Sequence, residues 1–473
     1  MNEVPLSWMG LAIAIPLIGA FAVGRTKDPD RARKWSAAIT AATLLCACKV
    51  WSNFQLLSDS DSHAGARLIS RFLGYDVFAI DQFSAPLLPL TAVLYFLTAV
   101  TTLRTKIRVF SFRMALVSEA IALATFASPG GWLLIGLLAV GTLPPYLELR
   151  ARHRSTRVFV VHMALFVGLL AFGQTLVGLE GSAGAHSTWA ILPLLIAVLV
   201  RCGIIPFHCW MTDLFEHATF GSALLFVIPF AGAYTAVRLV LPVAPDWILR
   251  SMGLVSLATA VYAAGMALIQ RDARRLFCYL FLSHSALVLA GLEMLTPIGL
   301  TGALCVWLSV GLAMGGFGLT LRALEARVGR LSLVDFQGLY DHTPNLAMCF
   351  LLTGLASVGF PGTFGFVGTE LLVDSAVETY LSVGVAVVVA AALNGIAVVK
   401  AYFLLFTGTR YFSSVSLMIA RRERYAVLAL AALIFSGGFV PQPGVESRHH
   451  AADELLHARA VHEPVPTALV GKP

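Results

Sequence analysis

Apolar runs of about 20 residues recur from one end of this sequence to the other, for example at residues 247–269 and 380–406. A helix of that length crosses the roughly 30 Å hydrocarbon core of a bilayer. With 58% hydrophobic residues, 12% charged residues and a mean hydropathy of +0.82, the chain has the composition of a protein whose solvent is lipid. The sequence therefore predicts an all-α polytopic membrane protein.

Fourteen membrane spans are predicted, and we expect the first to be retained because Glu3 rather than a basic segment precedes it and it lacks a small-residue cleavage site. The predicted spans cover residues 5–23, 35–55, 78–103, 111–128, 131–147, 158–178, 188–212, 219–242, 247–269, 276–296, 298–324, 344–378, 381–408 and 425–440. We expect a membrane domain over residues 1–440, divided into N-terminal helices (1–110), a first repeat (111–242), a second repeat (247–408) and a last helix (425–440).

The distribution of basic residues predicts how the chain is oriented. With the N-terminus outside, 23 of the 33 lysines and arginines fall in inside loops and only six in outside segments. By the positive-inside rule, this favours two extracytoplasmic termini, in what we expect to be a bacterial inner membrane. The net charge of +7 therefore reflects orientation, and no basic and aromatic motif indicates nucleic-acid binding.

Two spans are interrupted by residues that break helices. These residues are Gly203 and Pro206 in span 7, and Gly359, Pro361, Gly362 and Gly365 in span 12. Non-helical backbone at membrane depth is tolerated only inside protein or beside a wet cavity. Because the breaks lie five spans apart, they enter from opposite faces, which is typical of an inverted repeat of spans 4–8 and 9–13. The alternative is that glycine and proline are simply common in membrane helices.

The end of the chain, residues 441–473, is polar and proline-containing, and it predicts an ill-ordered extracytoplasmic tail. A metal site formed by its histidines His449, His450, His457 and His462 is the less favoured alternative. The seven cysteines lie in or beside apolar runs without a CxxC pair, which indicates small buried thiols. We expect no metal centre and no cofactor.

Several motifs carry a resemblance to a known family. They are residues 78–84 (FAIDQFS), 201–210 (RCGIIPFHCW), 222–225 (SALL) with 232–234 (GAY) and Arg238, 270–275 (QRDARR) with Ser283 and His284, and 359–368 (GFPGTFGFVG). From about residue 75 to 410 the chain resembles the antiporter-like subunits shared by respiratory complex I, membrane-bound hydrogenases and multisubunit cation/proton antiporters. The resemblance implies the fourteen-helix fold, partner subunits in a membrane complex, and protons or monovalent cations as the species handled.

Compared with that family, this chain lacks most of the titratable residues expected along the proton pathway. In that family each half-channel carries a buried lysine on helix 7 paired with a glutamate on helix 5, then lysines or histidines on helices 8, 11 and 12. Here those positions hold Arg201, the acid-free stretch 139–142, Phe230, Val310, Met314 and Thr369. Arginine stays protonated, so Arg201 can hold an anion or polarise water but cannot relay a proton by becoming neutral. A degenerate proton pathway is therefore predicted.

Ionisable residues inside spans are candidates for an altered ion pathway. Together with Thr369, the candidates are Arg201, His208, Glu119, Glu370, His284 and Lys400. His208 is either a proton acceptor or a packed histidine that holds loosened backbone. Glu119 is the first choice for a relocated carboxylate partner of Arg201, and Glu148 is the second; otherwise Glu119 faces a neighbouring subunit.

Other charged residues have two interpretations each. Glu370 follows Thr369 by one residue, about 100° around a helix, and is a candidate for the same cavity. Lys400 and Arg238 are expected to snorkel or to bind lipid. Asp272, with the arginines that follow it, is expected to form a structural ion-pair network at the cytoplasmic surface.

Three functions compete. The leading interpretation is a membrane subunit of a complex-I-like or related ion-translocating assembly, not catalytic by itself, with a mainly structural or modified transport role. The alternative is a membrane partner of a zinc carbonic-anhydrase-like subunit in inorganic-carbon uptake. A third, haem or quinone binding by His162, His208 and His284, is disfavoured because their spacing follows no repeated pattern.

Overall fold

The computed structural model describes residues 8–56, 78–103, 105–181, 186–408 and 421–462. Within these ranges the regular structure is helical, apart from an isolated bridge between Asp272 and Ser332. The elements are α1 (Trp8–Gly24), α2 (Pro29–Leu56), α3 (Leu87–Thr101), α4 (Phe112–Phe126), α5 (Gly131–Gly141), α6 (Leu143–Ala151), α7 (Arg157–Glu180), α8 (Thr188–Cys202), α9 (Cys209–His217), α10 (Phe220–Val227), α11 (Ala231–Thr235), a π-helical turn (Ala236–Val240), α12 (Asp246–Leu268), α13 (Ala273–Leu292), α14 (Pro297–Val328), α15 (Pro344–Ser357), α16 (Phe364–Thr379), α17 (Leu381–Phe406), α18 (Arg421–Phe439) and α19 (Gln442–His462).

The lengths and compositions of these helices suit a membrane. Among the described residues, eight helices are long and apolar enough to cross a bilayer, and the pair α18 and α19, bent by 79°, would make a ninth. Four further apolar helices, α1, α3, α8 and α15, are shorter. The prediction of an all-α membrane protein is confirmed.

Local sequence determines where the central helices begin. The Asp272 carboxylate accepts the Arg274 and Arg275 N–H groups at the start of α13, and the Thr296 hydroxyl accepts the Gly299 N–H at the start of α14. Such caps satisfy amides that have no partner inside a helix. Pro297 occupies the first turn of α14, where a missing N–H costs nothing.

The core lies around α13 and α14. In the most apolar stretch of each helix, 94% of the residues are buried in α13 and 89% in α14, whereas 22% are buried in α7. Helix α14 packs against α3, α13, α15, α16, α18 and α19. The apolar outer faces of helices such as α7 are thus available to lipid or to partner subunits.

The prediction of an ill-ordered tail is wrong for residues 442–462, which form α19. Two buried arginines hold this helix: Arg448 donates to the backbone carbonyls of Gln82 and Phe83 at 2.5 and 3.2 Å, and Arg459 donates to that of Leu241 at 2.7 Å. These charged hydrogen bonds to carbonyls add to the apolar contacts of Ala451, Ala452, Leu455 and Leu456 with the core. Residues 463–473 of the predicted tail, and the side chain of His462, lie outside the described residues.

Candidate functional site

The predicted interruption of span 7 corresponds to the segment between α8 and α9. Helix α8 ends at Cys202, and Gly203 follows in the left-handed conformation at φ 71°. A Cβ atom there would be strained and would meet the Met211 side chain at 3.1 Å. The Ile205 N–H is satisfied from outside, by the Thr259 hydroxyl of α12 at 3.3 Å, so protein rather than lipid surrounds the freed backbone around Pro206.

Arg201 lies in the last turn of α8 and is 5% exposed. Its Nη2 donates to the Phe226 carbonyl at 3.1 Å, and its Cζ lies 4.2 Å from the centre of the Phe226 ring and 5.4 Å from that of Trp210. Trp210 is itself fixed by a 2.8 Å bond from its Nε1 to the Val200 carbonyl. The guanidinium is therefore held by a carbonyl and two aromatic faces, which stabilise a permanent cation.

A cavity of about 50 Å³ adjoins Arg201. Tyr95, Ser118 and Thr125 contribute hydroxyl groups to its lining, and the Tyr95 and Ser118 oxygens lie 2.8 Å apart. This volume exceeds the roughly 15 Å³ that one water requires, and the lining supplies polar partners for it. Water beside Arg201 is thus compatible with the site.

Arg201 forms no ion pair with Glu119 or Glu148 in the described part of the chain, contrary to the expectation of a relocated carboxylate. Both Glu119 carboxylate oxygens are buried and lack a hydrogen-bond partner among the described residues. Glu148 accepts the Thr219 N–H at 2.7 Å and lines a smaller cavity, of about 20 Å³, that shares Ser118 and Phe226 with the Arg201 cavity. The backbone carbonyl of Phe226 takes the place expected for the acid.

His208 directly precedes α9 and is half-buried. Its ring centre lies 6.0 Å from that of Tyr262 and 6.2 Å from that of Tyr279. Its Nδ1 is buried and has no hydrogen-bond partner among the described residues. The structure thus places His208 among aromatic rings next to the break.

The predicted interruption of span 12 corresponds to the segment between α15 and α16. Gly359 and Gly362 have φ values of 81° and 86°, and a Cβ atom on Gly365 would lie 2.5 Å from the Ser309 hydroxyl. Thr369 donates to the Gly365 carbonyl of its own helix at 2.8 Å. Glu370 is exposed on the outside of the chain, so it does not reach the Thr369 side of α16.

The remaining candidates lie apart from Arg201. His284 is buried in α13 with its Nε2 unpartnered among the described residues; its neighbour Ser283 accepts from Asn394 at 2.8 Å. Lys400 is exposed and donates to the Leu268 carbonyl at the end of α12, at 2.8 Å. The structure therefore gathers Arg201 with cavity hydroxyls, and it does not join the other candidates into one site.

The partner of Arg238 was not predicted from the sequence. This guanidinium forms a two-point ion pair with Asp81, at 2.6 and 2.9 Å, so it does not snorkel towards lipid. The available sequence signal for this pair was that Asp81 lies inside the motif 78–84. An ion-pair network is present at Asp272, but its carboxylate pairs with Arg330 at 2.8 Å rather than with the side chains of the arginines that follow it. Arg274 pairs with Glu325, and Arg275 and Arg330 contact Glu216 at 3.5 and 2.6 Å.

A family profile described as NADH:quinone oxidoreductase/Mrp antiporter, TM, matches residues 155–394 of this broken-helix bundle. The chain belongs to this family, as the motifs predicted. It is 28% identical to F(420)H(2) dehydrogenase subunit M of Methanosarcina mazei, over 45% of this chain and 43% of that protein. It is 25% identical to NAD(P)H-quinone oxidoreductase chain 4 2 of Thermosynechococcus vestitus, over 98% of this chain and 94% of that protein. The match to the first relative thus spans less than half of that protein.

Solved structures share the fold. A chain of respiratory complex I from Thermus thermophilus superposes with a TM-score of 0.81 at 21% identity, covering 95% of this chain and 99% of that one. A chain of the Mrp complex from a Dietzia species superposes with a TM-score of 0.81 at 17% identity, covering 98% of this chain and 100% of that one. None of these relatives or structures supports the alternative of a carbonic-anhydrase-like partner.

Proposed function

We propose that this chain is a membrane subunit of a complex-I-like or related ion-translocating assembly and that its role is mainly structural or a modified form of transport. The observation that carries the proposal is the environment of Arg201. The residue at the position of the family's buried lysine is a permanent cation held by the Phe226 carbonyl and two aromatic rings. A lysine–glutamate pair exchanges protons, whereas this arrangement stabilises a fixed charge.

The other positions at which the family carries titratable residues support the same proposal. Phe230, Val310 and Met314 are buried among apolar neighbours, with 6%, 5% and 0% exposure. Their side chains offer no hydrogen bond to a water chain, and a charge placed there would cost several kcal/mol. A proton route through the usual positions is therefore interrupted in both halves.

Ion flux in the reconstituted assembly tests the proposal. Arg201→Ala, Arg201→Lys, His208→Ala and Glu370→Gln are compared with wild type for ions moved per turnover. We expect unchanged flux per assembled complex, with loss of assembly in Arg201→Ala because the buried carbonyl and rings lose their cation. Normal assembly with abolished flux in Arg201→Ala or Glu370→Gln would refute the proposal and would identify a working channel.

We further propose fourteen spans with both termini outside and an inverted repeat of spans 4–8 and 9–13. The two backbone interruptions, five spans apart, support the repeat. In intact cells whose exposed native Cys48 and Cys209 are replaced by serine, an impermeant maleimide should label Lys472→Cys and leave Arg31→Cys, which lies in an inside loop, unlabelled. Labelling of Arg31→Cys alone would reverse the orientation.

Partners are proposed from the same family membership. We expect other membrane subunits and lipid around the chain, protons or monovalent cations as the species handled, a bacterial inner membrane location and no catalysis by the isolated chain. Purification in a mild detergent followed by mass spectrometry of the associated subunits identifies the assembly. Recovery of the chain alone, from membranes in which it is abundant, would contradict a subunit role.

A further inference from the structure

A second cavity, of about 60 Å³, lies at the end of the bundle where the basic loops meet. Lys106, Arg152, Arg274 and Arg322 line it, with Glu325 as its acidic residue. The volume is about four times the roughly 15 Å³ that one water requires. It therefore leaves room for a group larger than a single water.

The positive charges around this cavity are not balanced by its own acid. Glu325 uses both oxygens on Arg274, at 2.6 Å to Nε and 2.5 Å to Nη2. Lys106 and Arg152 make no ion pair in the described ranges, and the Arg152 Nε is buried without a hydrogen-bond partner there. An unpartnered charged donor facing a cavity indicates a missing acceptor.

Arg322 adds a buried cation. It is 8% exposed, and its guanidinium donates to the Thr98 carbonyl at 3.0 Å and the Thr102 hydroxyl at 2.9 Å, both neutral acceptors. Burying a guanidinium without an anion is costly. Three carboxylates attract it, Glu325 most strongly, but Glu325 is shared with Arg274, Glu148 accepts the Thr219 N–H and Glu423 pairs with Arg327.

The backbone reinforces the positive potential. The first residues of α10, Phe220 and Gly221, line the cavity. A Cβ atom on Gly221 would lie 3.1 Å from the Arg322 Cζ, so the glycine lets the guanidinium approach the helix end. The first amides of a helix lack intrahelical acceptors, and their dipoles favour an anion.

We propose that this cavity binds a phosphate group, as the headgroup of an anionic phospholipid or as free inorganic phosphate. Lys106 and Arg152 supply donors from two loops, and Arg322 supplies a fixed charge from the interior. Guanidinium groups match phosphate oxygens in geometry and charge. The site is separate from the Arg201 cavity and does not depend on ion transport.

The test uses the full chain, delipidated in a neutral detergent. In one arm, sodium phosphate is titrated against thermal unfolding, with sodium chloride at equal ionic strength as reference. In the other, native mass spectrometry measures retention of phosphatidic acid against diacylglycerol, which lacks the phosphate. The test variant is Lys106→Gln/Arg152→Gln; the matched control is Arg108→Gln/Arg154→Gln, which removes two exposed charges from the same loops.

Wild type and control should bind one phosphate group saturably, and the test variant about tenfold or more weakly, since each lost charged hydrogen bond contributes about that factor. Binding in the lipid arm only assigns a headgroup, and binding of inorganic phosphate assigns the free anion. The proposal is overturned if wild type binds neither saturably, or if the two double variants bind equally.

Discussion

The Arg238 guanidinium donates to both carboxylate oxygens of Asp81, 157 residues earlier in the chain, at 2.6 and 2.9 Å. The Phe83 and Tyr234 rings lie 5.2 and 5.1 Å from its Cζ. The pair ties the segment before α3 to the π-helical turn. Arg448 of α19 donates to the carbonyls of Gln82 and Phe83, so three parts of the chain meet at the motif 78–84.

Arg238→Leu should lower the free energy of unfolding by about 2 to 3 kcal/mol, because it leaves the Asp81 carboxylate without its main partner. Asp81 is 36% exposed, which keeps the loss below that of a fully buried pair. Unfolding in mixed micelles of detergent and SDS measures the change in the free energy of unfolding. The double variant Asp81→Asn/Arg238→Leu should lose less than the sum of the single variants; additive losses would show that the two side chains do not interact.

Helix α19 should be required for stability of the bundle rather than dispensable as a tail. Arg448→Ala removes two hydrogen bonds from a charged donor to buried carbonyls, so we expect a loss of about 2 to 4 kcal/mol. His450→Ala, on the exposed side of the same helix, is the matched control and should change stability by less than about 0.5 kcal/mol. Equal melting temperatures for the two variants would mean that α19 is not docked.

Local patterns in the sequence were sufficient for part of this fold. Gly203 and Gly359 mark positions where the backbone leaves the helix, and both have positive φ values in the structure. Such positions can be predicted because the constraint lies within a few residues. The family motifs likewise identified Arg201 as the residue at the lysine position.

What could not be predicted depends on contacts between distant residues. Polar composition indicated disorder for the residues of α19. A local pattern does not show that Arg459 contacts the Leu241 carbonyl, 218 residues away, and this contact holds the helix in place. Glu119 was expected beside Arg201 from the need for a counter-charge, yet the Phe226 carbonyl occupies that place. Pairing of buried charges is set by helix rotation and packing, which a span prediction does not contain.

Glycine in α14 should be needed where helices approach closely. A Cβ atom on Gly318 would lie 2.2 Å from a Leu224 methyl carbon and 3.0 Å from the Phe277 ring. Gly318→Ala should therefore destabilise the chain by about 1 to 3 kcal/mol through overpacking. Gly168→Ala in α7, where an added Cβ atom would meet nothing within 4 Å beyond its own helix backbone, should be neutral or stabilising by up to about 1 kcal/mol. Thermal unfolding of both variants in one detergent makes the comparison, and a loss at Gly168 as large as at Gly318 would contradict it.

A double-mutant cycle decides whether Arg201 and Glu119 act as a pair. Arg201→Gln should cost about 2 to 3 kcal/mol, because it removes a charged hydrogen bond and two cation–aromatic contacts. Glu119→Gln should leave stability unchanged or raise it by up to about 1 kcal/mol, since the carboxylate has no partner among the described residues and a neutral amide is cheaper to bury. With no contact between the two side chains, the coupling energy should stay below about 0.5 kcal/mol. A coupling above about 1.5 kcal/mol, measured by unfolding of the four proteins in mixed micelles, would restore the relocated ion pair and, with it, a titratable partner for the fixed cation.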